Sequence, residues 1–439
     1  MSDEIFREKL SAYCTKTFGA AGELAGVQRL SGGASMESWA FSYGDEHYVL
    51  RRLPSGLSPD DDGLRGVPLA TQADVIELAR TAGVTAPKVR GRLNPKDGLG
   101  EGFIMTKAEG ETLPHKILGN PAFAEAEAKL TEQCARELAA IHRIGMNPLL
   151  RSLEYFSPSE LIRMQKDKYL EIGGQIPIYE YAFHWLEQNA PDASDQYLVH
   201  GDFRMGNLMI DHDGLSAVLD WELVRLGDPV QDLAYLCTPS WRFGHYEKEA
   251  GGFDSAESFL AAYAEASGAA VDPDRFRFWL VYSTLWWGVA CMVMGQIWRS
   301  HGDRSLERTV IGRRVSEVEI DLALLFEEIR PDAMASPLDW STPDQHGTRS
   351  RCCPASAGMT SSRQGSPAMP SASRGGRRNG VRFTATPSRS GWPLSVMIID
   401  SFATDFQMER LRSAARGSGT TCGCPRWRDC PSTNPNMSA

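Results

Sequence analysis

Basic residues are the scarce charge in this 439-residue chain, where 46 Lys and Arg stand against 56 Asp and Glu for a formal net charge of −10. Nucleic-acid binding draws on a basic surface that neutralises phosphates, so nucleic acid is excluded as the main partner. The deficit is uneven. From Gly347 onward there are 13 Arg, no Lys and 4 acids, which makes that stretch about +9 and the body about −19. An apolar leader is missing as well: MSDEIFREKLSAYCTKTF is charged and helix-like, and the expected location is the cytoplasm. Cys14, Cys134, Cys237 and Cys291 stand alone in the body, as suits buried thiols in a reducing compartment.

The C-terminal part lacks other things. From about Ala335 to Ala439 it is rich in Ser, Gly, Pro and Arg and has little apolar periodicity, the composition of a disordered segment; Leu394 to Ala415 alone suits an amphipathic helix. Cys422, Cys424 and Cys430 follow a C-x-C-x5-C spacing, and Cys352 and Cys353 supply no convincing second pair for zinc. A non-native extension, read past or out of the ancestral frame, would account for such a tail. Phe278 to Trp298 lacks charge over a length that would cross a bilayer. Ser283, Thr284, Gly288, Gly295 and Gln296 interrupt it, so a buried helix is expected and no membrane partner.

What is present is concentrated in Leu198 to Leu233, LVHGDFRMGNLMIDHDGLSAVLDWELVRLGDPVQDL. Asp202, Asn207 and Asp220 interrupt segments that otherwise read as buried strands and turns, with a hairpin-like turn at Asp211 to Gly214. Carboxylates plus one amide form an oxygen-only set, which suits Mg²⁺ sharing its shell with water and phosphates. The H-G-D-x-x-x-x-N spacing followed by D-W-E resembles the catalytic machinery of eukaryotic-like kinases, in which a loop Asp orients the attacking hydroxyl while an Asn and a downstream Asp hold magnesium. HGDFRMGN, VLDWE and GDPVQDLA in that order resemble the aminoglycoside phosphotransferase family, including the kinase-like domains linked to acyl-CoA dehydrogenases. The resemblance covers roughly residues 25–330.

The rest of the chain is read around that stretch. Residues 3–18 suit an amphipathic helix, and Val27 to Leu30 and Ser38 to Ser42 suit strands flanking a Gly32-Gly33 turn whose amides would face phosphates. Tyr48 to Arg52 is a strand, and the resemblance puts Arg51 where such kinases carry their phosphate-binding cation. In the helix Leu69 to Ala82 the family's partner for that cation falls at Gln72, with Glu77 as the other candidate. Val84 to Val89 and Gly102 to Thr106 read as further strands, leading to a hinge where the main chain of Met105 to Lys107 would meet adenine. Helices follow at Ala128 to Ile144, Ser157 to Tyr169, Ile178 to Asn189, Ser255 to Ala266, Pro273 to Trp298 and Val315 to Ile329. His142 reads as a packing residue, and Tyr181, His184, Trp185, Trp241 and His245 are candidate substrate contacts.

The expectation is an α+β, bilobal, protein-kinase-like fold: an antiparallel N-lobe over residues 1–107, a mainly helical C-lobe over 108–334, and a tail over 335–439. The resemblance implies ATP and Mg²⁺ as cofactors and a small molecule with a hydroxyl as partner: a hydroxyacyl-CoA-like metabolite, an aminoglycoside or a choline-like alcohol. Asp202 would be catalytic, Asn207 and Asp220 would hold the metal, Gly32, Gly33, Arg51, Met105 and Lys107 would hold the nucleotide, His200 and Asp232 would brace the loop, and Gln72 would support Arg51. The alternative is a catalytically silent nucleotide-binding protein, motivated by Gln72.

Overall fold

Alternating burial builds the first sheet. The computed structural model describes residues 3–30, 36–53, 66–193, 195–300 and 306–329. The Gly32-Gly33 turn, the loop 54–65 and the chain from Arg330, with its five cysteines, lie outside the described residues. Helix α1 (Asp3–Phe18) precedes strands β1 (Leu24–Arg29), β2 (Glu37–Tyr43) and β3 (Glu46–Leu53), helix α2 (Leu69–Thr81), and strands β4 (Val89–Arg92) and β5 (Glu101–Thr106). The five strands form one antiparallel sheet in the order β1-β2-β3-β5-β4.

Phe6, Leu10 and Tyr13 of α1 pack with Trp39, Phe41, Leu50 and Ile104 on one side of the sheet, while Leu69, Ala73 and Ile76 of α2 cluster with Leu53 and Phe103. Successive side chains of a strand point to opposite faces, so adjacent arginines on β3 part company. Arg52 is 5% exposed. It lies over the Phe6 ring at 4.4 Å, donates from Nε to Glu37 at 2.9 Å and from Nη1 to the Leu99 carbonyl at 2.9 Å. Arg51 points the other way, toward the acids of the signature stretch.

The strand expected at Val84 to Val89 starts only at Val89. Residues before it are tied elsewhere: Thr85 donates its amide and hydroxyl to Glu137 at 2.8 and 2.7 Å, and the Val218 amide donates to the Thr85 carbonyl at 2.7 Å. Pro87 adds no donor to a ladder. The segment therefore links the sheet to the helical part.

That part begins with short helices α3 (Pro114–Ile117) and α4 (Ala124–Glu127), then α5 (Leu130–His142), α6 (Pro158–Glu171) and α7 (Pro177–Asn189). Four short strands follow: β6 (Tyr197–Val199), β7 (Leu208–Asp211), β8 (Gly214–Val218) and β9 (Arg225–Gly227), with β6 paired to β9 and β7 to β8. Helices α8 (Val230–Leu236), α9 (Ala256–Ser267), α10 (Pro273–Arg299), α11 (Leu306–Arg313) and α12 (Val315–Ile329) complete it. A reciprocal Ser157–Glu160 capping box with Pro158 in the first turn starts α6. Leu130, Cys134, Leu138 and Ile141 of α5 share a core with Leu198, Leu208, Val218 and Leu226, so the helix and both strand pairs form one packed unit. Truncating a leucine such as Leu138 in that core costs about 2–5 kcal/mol.

Helix α10 is long and apolar enough to cross a membrane, and 67% of its most apolar window is buried inside the protein. Phe278, Trp279, Val281, Leu285 and Val289 cluster there with residues of α7, α8 and α12. The four described cysteines are free and buried, and burial pushes the Cys14 and Cys237 thiols up to about 12. Such thiols are poor nucleophiles at neutral pH.

Candidate active site

The loop between β6 and β7 has a geometry that its residues dictate. Gly201 sits at φ 82°, and a Cβ there would collide with the Leu223 carbonyl, so only glycine serves in the middle of His-Gly-Asp. His200 is fully buried; its Nδ1 accepts the Asp202 amide at 3.2 Å and its Nε2 meets the Leu219 carbonyl at 3.0 Å. Those two contacts put the ring proton on Nε2. Asp232 on α8 receives the His200 and Gly201 amides at 2.7 and 2.8 Å and lies 3.2 Å from His142 Nε2. Burial would raise the Asp232 carboxyl, but His142, His200 and the Gly201 amide outweigh it and hold it below the usual carboxylate range. His142 thus packs, as expected, and in doing so links Asp232 to the Tyr263 hydroxyl at 2.8 Å.

Asp202 and Asn207 meet within this loop. Asn207 Nδ2 donates to the Asp202 backbone carbonyl at 2.9 Å and also to its carboxylate, which leaves the Asn207 carbonyl oxygen as an acceptor. The Leu219 amide donates to the Asn207 backbone carbonyl at 2.8 Å, tying the loop to the strand that delivers Asp220. Arg204 donates from Nε to Asp202 at 3.1 Å, and the Tyr235 hydroxyl lies within hydrogen-bond reach of the same carboxylate. Burial and Asp202 push the Tyr235 hydroxyl well above its ordinary range, so it remains a donor.

Asp220 adopts φ 63° and ψ 66°, a left-handed conformation that few non-glycine residues hold. It follows β8 directly, and Trp221 is anchored by an indole donation to the Val218 carbonyl at 3.0 Å. Asp220 Oδ1 lies 2.8 Å from Arg51 Nη1, and Glu222 pairs with the other terminal nitrogen. Burial would raise the Asp220 carboxyl and lower the Arg51 guanidinium. Their mutual attraction wins, holding Asp220 below and Arg51 above the usual values. Gly102 pairs with Arg52 across the sheet, and any Cβ there would strike the Arg51 carbonyl.

One expectation is corrected by these contacts. Arg51 is paired by Glu222, the last residue of Asp-Trp-Glu, in place of Gln72 or Glu77. Gln72 Nε2 donates instead to the Val67 carbonyl at 2.9 Å, and Glu77 accepts the Val89 amide at 2.7 Å. Val67 itself donates to the Glu222 carbonyl at 2.8 Å, so Gln72 supports the site at one remove. The expected hinge, Met105 to Lys107, lies at the C-terminal end of β5. Met105 is paired on both sides within the sheet, and the Thr106 and Lys107 amides donate to Lys88 and His47 carbonyls at 2.9 Å each. What Met105 offers is its side chain, which lines a small cavity with Arg51, Gln72, Phe103, Asp220 and Trp221.

Of the candidate substrate contacts, Trp241 alone joins this site. The guanidinium of Arg204 lies over its ring at 4.8 Å. Tyr181 and Trp185 pack edge-on against Phe326, His184 meets Gln188 on the α7 surface, and His245 lies near Gly119. Arg204, Glu222 and Tyr235 were not singled out from the sequence. The first two sit two residues after Asp202 and Asp220, in the same stretch, and a polar side chain repeating two positions after each site acid was the available signal.

No group of three or more His, Cys, Asp or Glu that would cage a metal occurs among the described residues. The donors that do converge are oxygen atoms. Asp220 Oδ1 is in ionic contact with Arg51 without an aligned hydrogen bond, and the Asn207 carbonyl oxygen is left over; two such ligands, completed by phosphates and water, fit Mg²⁺ rather than zinc.

With this geometry in place, comparison with known proteins adds the following. The model of the phosphotransferase enzyme family matches residues 26–279. Acyl-CoA dehydrogenase family member 11 of Pongo abelii is 26% identical over an alignment of 279 residues, with 58% of this chain and 34% of that protein covered. The chain therefore spans about a third of the length of that relative. The 4-hydroxytryptamine kinase of Psilocybe cubensis is 23% identical over 290 residues, covering 59% of this chain and 79% of that protein. A crystal structure from Ralstonia eutropha JMP134, assigned to the aminoglycoside phosphotransferases, aligns with a TM-score of 0.58 at 23% identity, covering 73% of this chain and 98% of that one. Aminoglycoside phosphotransferase APH(4)-Ia aligns at 0.51 with 16% identity, covering 73% and 98%. The bilobal fold expected from the signature stretch is the fold found.

Proposed function

Because the chain belongs to the phosphotransferase enzyme family, we propose that it moves the γ-phosphoryl group of ATP, in a Mg²⁺-dependent reaction, to a hydroxyl on a small molecule. The observation that carries this reading is the convergence of Asp202, Asn207, Asp220 and Arg51, each held by the contacts described. In this reading the strands before Lys107 carry the nucleotide and the helical part carries the acceptor.

Asp202 accepts the proton of the acceptor hydroxyl as that oxygen bonds to the γ-phosphorus; the bond from phosphorus to the bridging oxygen breaks, and ADP leaves with the electron pair. Mg²⁺, held through Asp220 and the Asn207 carbonyl oxygen, would neutralise phosphate charge. Arg51, oriented by Glu222, keeps its Nε without a partner among the described residues and so has an N–H to offer a phosphate oxygen. Arg204 places a second cation beside the reacting oxygens. His200 and Asp232 hold the loop in register. Positioning and charge account for most of such catalysis.

The case for a catalytically silent protein rested on Gln72, and Glu222 now supplies the acid that Gln72 does not. The test is ³¹P NMR of ATP with Mg²⁺ and a panel of alcohols. A new phosphate ester dependent on both protein and Mg²⁺ supports the reading. ATP binding with no ester formed over the panel would reject it.

A further inference from the structure

Next to Asp202, through Arg204, a second cluster is built of rings and guanidinium groups. Trp241, 2% exposed, lies 4.7 Å from Trp287 between ring centroids, and Tyr235 lies 5.7 Å from Trp241. A ring of aromatic faces beside a catalytic carboxylate would ordinarily suit an ammonium ligand. Here the faces are already occupied. Arg204 lies over Trp241 at 4.8 Å, and Arg314 lies 5.9 Å from Trp241 and 5.5 Å from Trp287. An incoming ammonium would meet two guanidinium groups.

The cluster also ends in donors. Trp241 Nε1, Trp287 Nε1 and Arg242 Nε are buried and have no hydrogen-bond partner among the described residues. Arg242 gives its terminal nitrogens to the Tyr246 and Cys237 carbonyls at 3.2 and 3.3 Å. Arg314 pairs with Glu317 at 2.8 Å and donates to the Ser240 carbonyl at 3.3 Å. Asp321 also faces the cluster; it is 6% exposed and receives the Ser240 hydroxyl at 3.4 Å. Burial and Glu317 push Asp321 up to about 7, so it is partly in its neutral, donating form at physiological pH. Leaving a buried N–H without an acceptor costs about 1–3 kcal/mol, and three of them in one cluster ask for a ligand rich in acceptor oxygens.

We propose that Trp241, Trp287, Arg242 and Arg314 form a subsite for an anionic group, a carboxylate or phosphate, on the acceptor alcohol. This rests on the phosphotransfer reading for the role of the hydroxyl and goes beyond it in choosing acidic alcohols over aminoglycosides and choline-like alcohols. Arg204 holds the hydroxyl end beside Asp202 while the acidic end reaches the tryptophan pair.

The test uses the full chain with a non-hydrolysable ATP analogue and Mg²⁺, and titrates ω-hydroxyalkanoates, hydroxyalkyl phosphates, amino alcohols and neutral diols of matched length while tryptophan fluorescence is followed. Transfer from ATP to the same probes is measured in parallel. Hydroxyalkanoates or hydroxyalkyl phosphates should bind at least tenfold more tightly than the matched diols, and the tighter of the two names the anion. Arg314→Gln and, as a variant that leaves the Glu317 pair in place, Trp287→Phe should each weaken anion binding while leaving diols within about twofold. Preference for amino alcohols, equal binding of acids and diols, or equal loss for all probes would overturn the subsite. Tight anion binding without transfer would keep the subsite and reject the phosphotransfer reading. Transfer confined to amino alcohols would do the reverse.

Discussion

Two regions beside Asp202 differ in what they are made of. On the nucleotide side one guanidinium, Arg51, is held between two carboxylates, Asp220 and Glu222. Elsewhere around Asp202 two guanidinium groups, Arg204 and Arg314, lie against the rings of two tryptophans, and Arg242 adjoins Trp241 in the chain. The first arrangement is dominated by acids, which a metal cation would satisfy, with Arg51 left to meet phosphate. The second is dominated by donors. The difference teaches that a chain can declare its reaction in one short stretch while its acceptor is recognised by residues from several elements: Arg204 before β7, Tyr235 on α8, Trp241 after it, Trp287 on α10, and Arg314 just before α12.

The contrast makes graded predictions. Replacing Asp220 by Ala removes the metal-holding carboxylate from the nucleotide side and should lower kcat by about 10³-fold or more, roughly 4 kcal/mol of transition-state stabilisation. An initial-rate assay at saturating ATP checks it; turnover within tenfold of the unaltered chain would contradict it. Next in size is Asp232→Asn. Two loop amides and His142 rely on that buried carboxylate, so the variant should lose about 3–5 kcal/mol in urea unfolding. The folded value of Asp232 is depressed, so its contribution is present above the ordinary carboxylate range and is lost as pH falls through that depressed value.

Glu222→Gln should raise the KM for ATP by about tenfold, because a neutral amide orients Arg51 less firmly, an effect of roughly 1.4 kcal/mol. Gln72→Met should stay within about threefold, since Gln72 bonds Val67 and not Arg51. Equal effects of the two would undo the assignment of Glu222 as the Arg51 partner.

Asp321 gives a smaller effect, read on the acceptor side. Its folded value, about 7, is above that of an ordinary carboxyl, so the fold favours its protonated form. Stability is unpenalised below the ordinary carboxylate range and declines as pH rises through about 7, with Glu317 opposing ionisation and Arg242, Arg314 and Ser240 favouring it. Urea unfolding of Asp321→Asn should therefore show an unfolding free energy that gains on the unaltered chain between pH 5 and 8, by an amount on the order of 2 kcal/mol. A constant difference across that range would contradict it.

Much of this was legible before the fold was known, and the reasons are physical. Asp202, Asn207 and Asp220 stand out because buried strands and turns do not carry acids without cause, and their spacing is short enough for local structure to bring them together. Helix limits such as Leu69–Thr81 and Val315–Ile329 follow from periodic apolar residues. The partner of Arg51 was not legible, because 171 residues separate it from Glu222 and only the docking of the sheet on the helical part joins them. Val84 to Pro87 looked like a strand because its composition is apolar, whereas the Glu137 carboxylate across the fold takes its amide and hydroxyl. Trp241 read as one aromatic among several. What distinguishes it from Trp185 is the guanidinium of Arg204 on its face, against the Phe326 edge met by Trp185.

The central claim is that Asp202 directs a phosphoryl group from ATP onto an organic hydroxyl. The most direct measurement incubates the full chain and its Asp202→Asn variant with γ-labelled ATP, Mg²⁺ and a small-molecule metabolite extract, and follows label in organic phosphate esters. The account predicts a labelled ester with the unaltered chain and at least a hundredfold less with the variant, at unchanged ATP affinity. Label that appears equally with both proteins, or ATP bound with no ester formed by either, would contradict it.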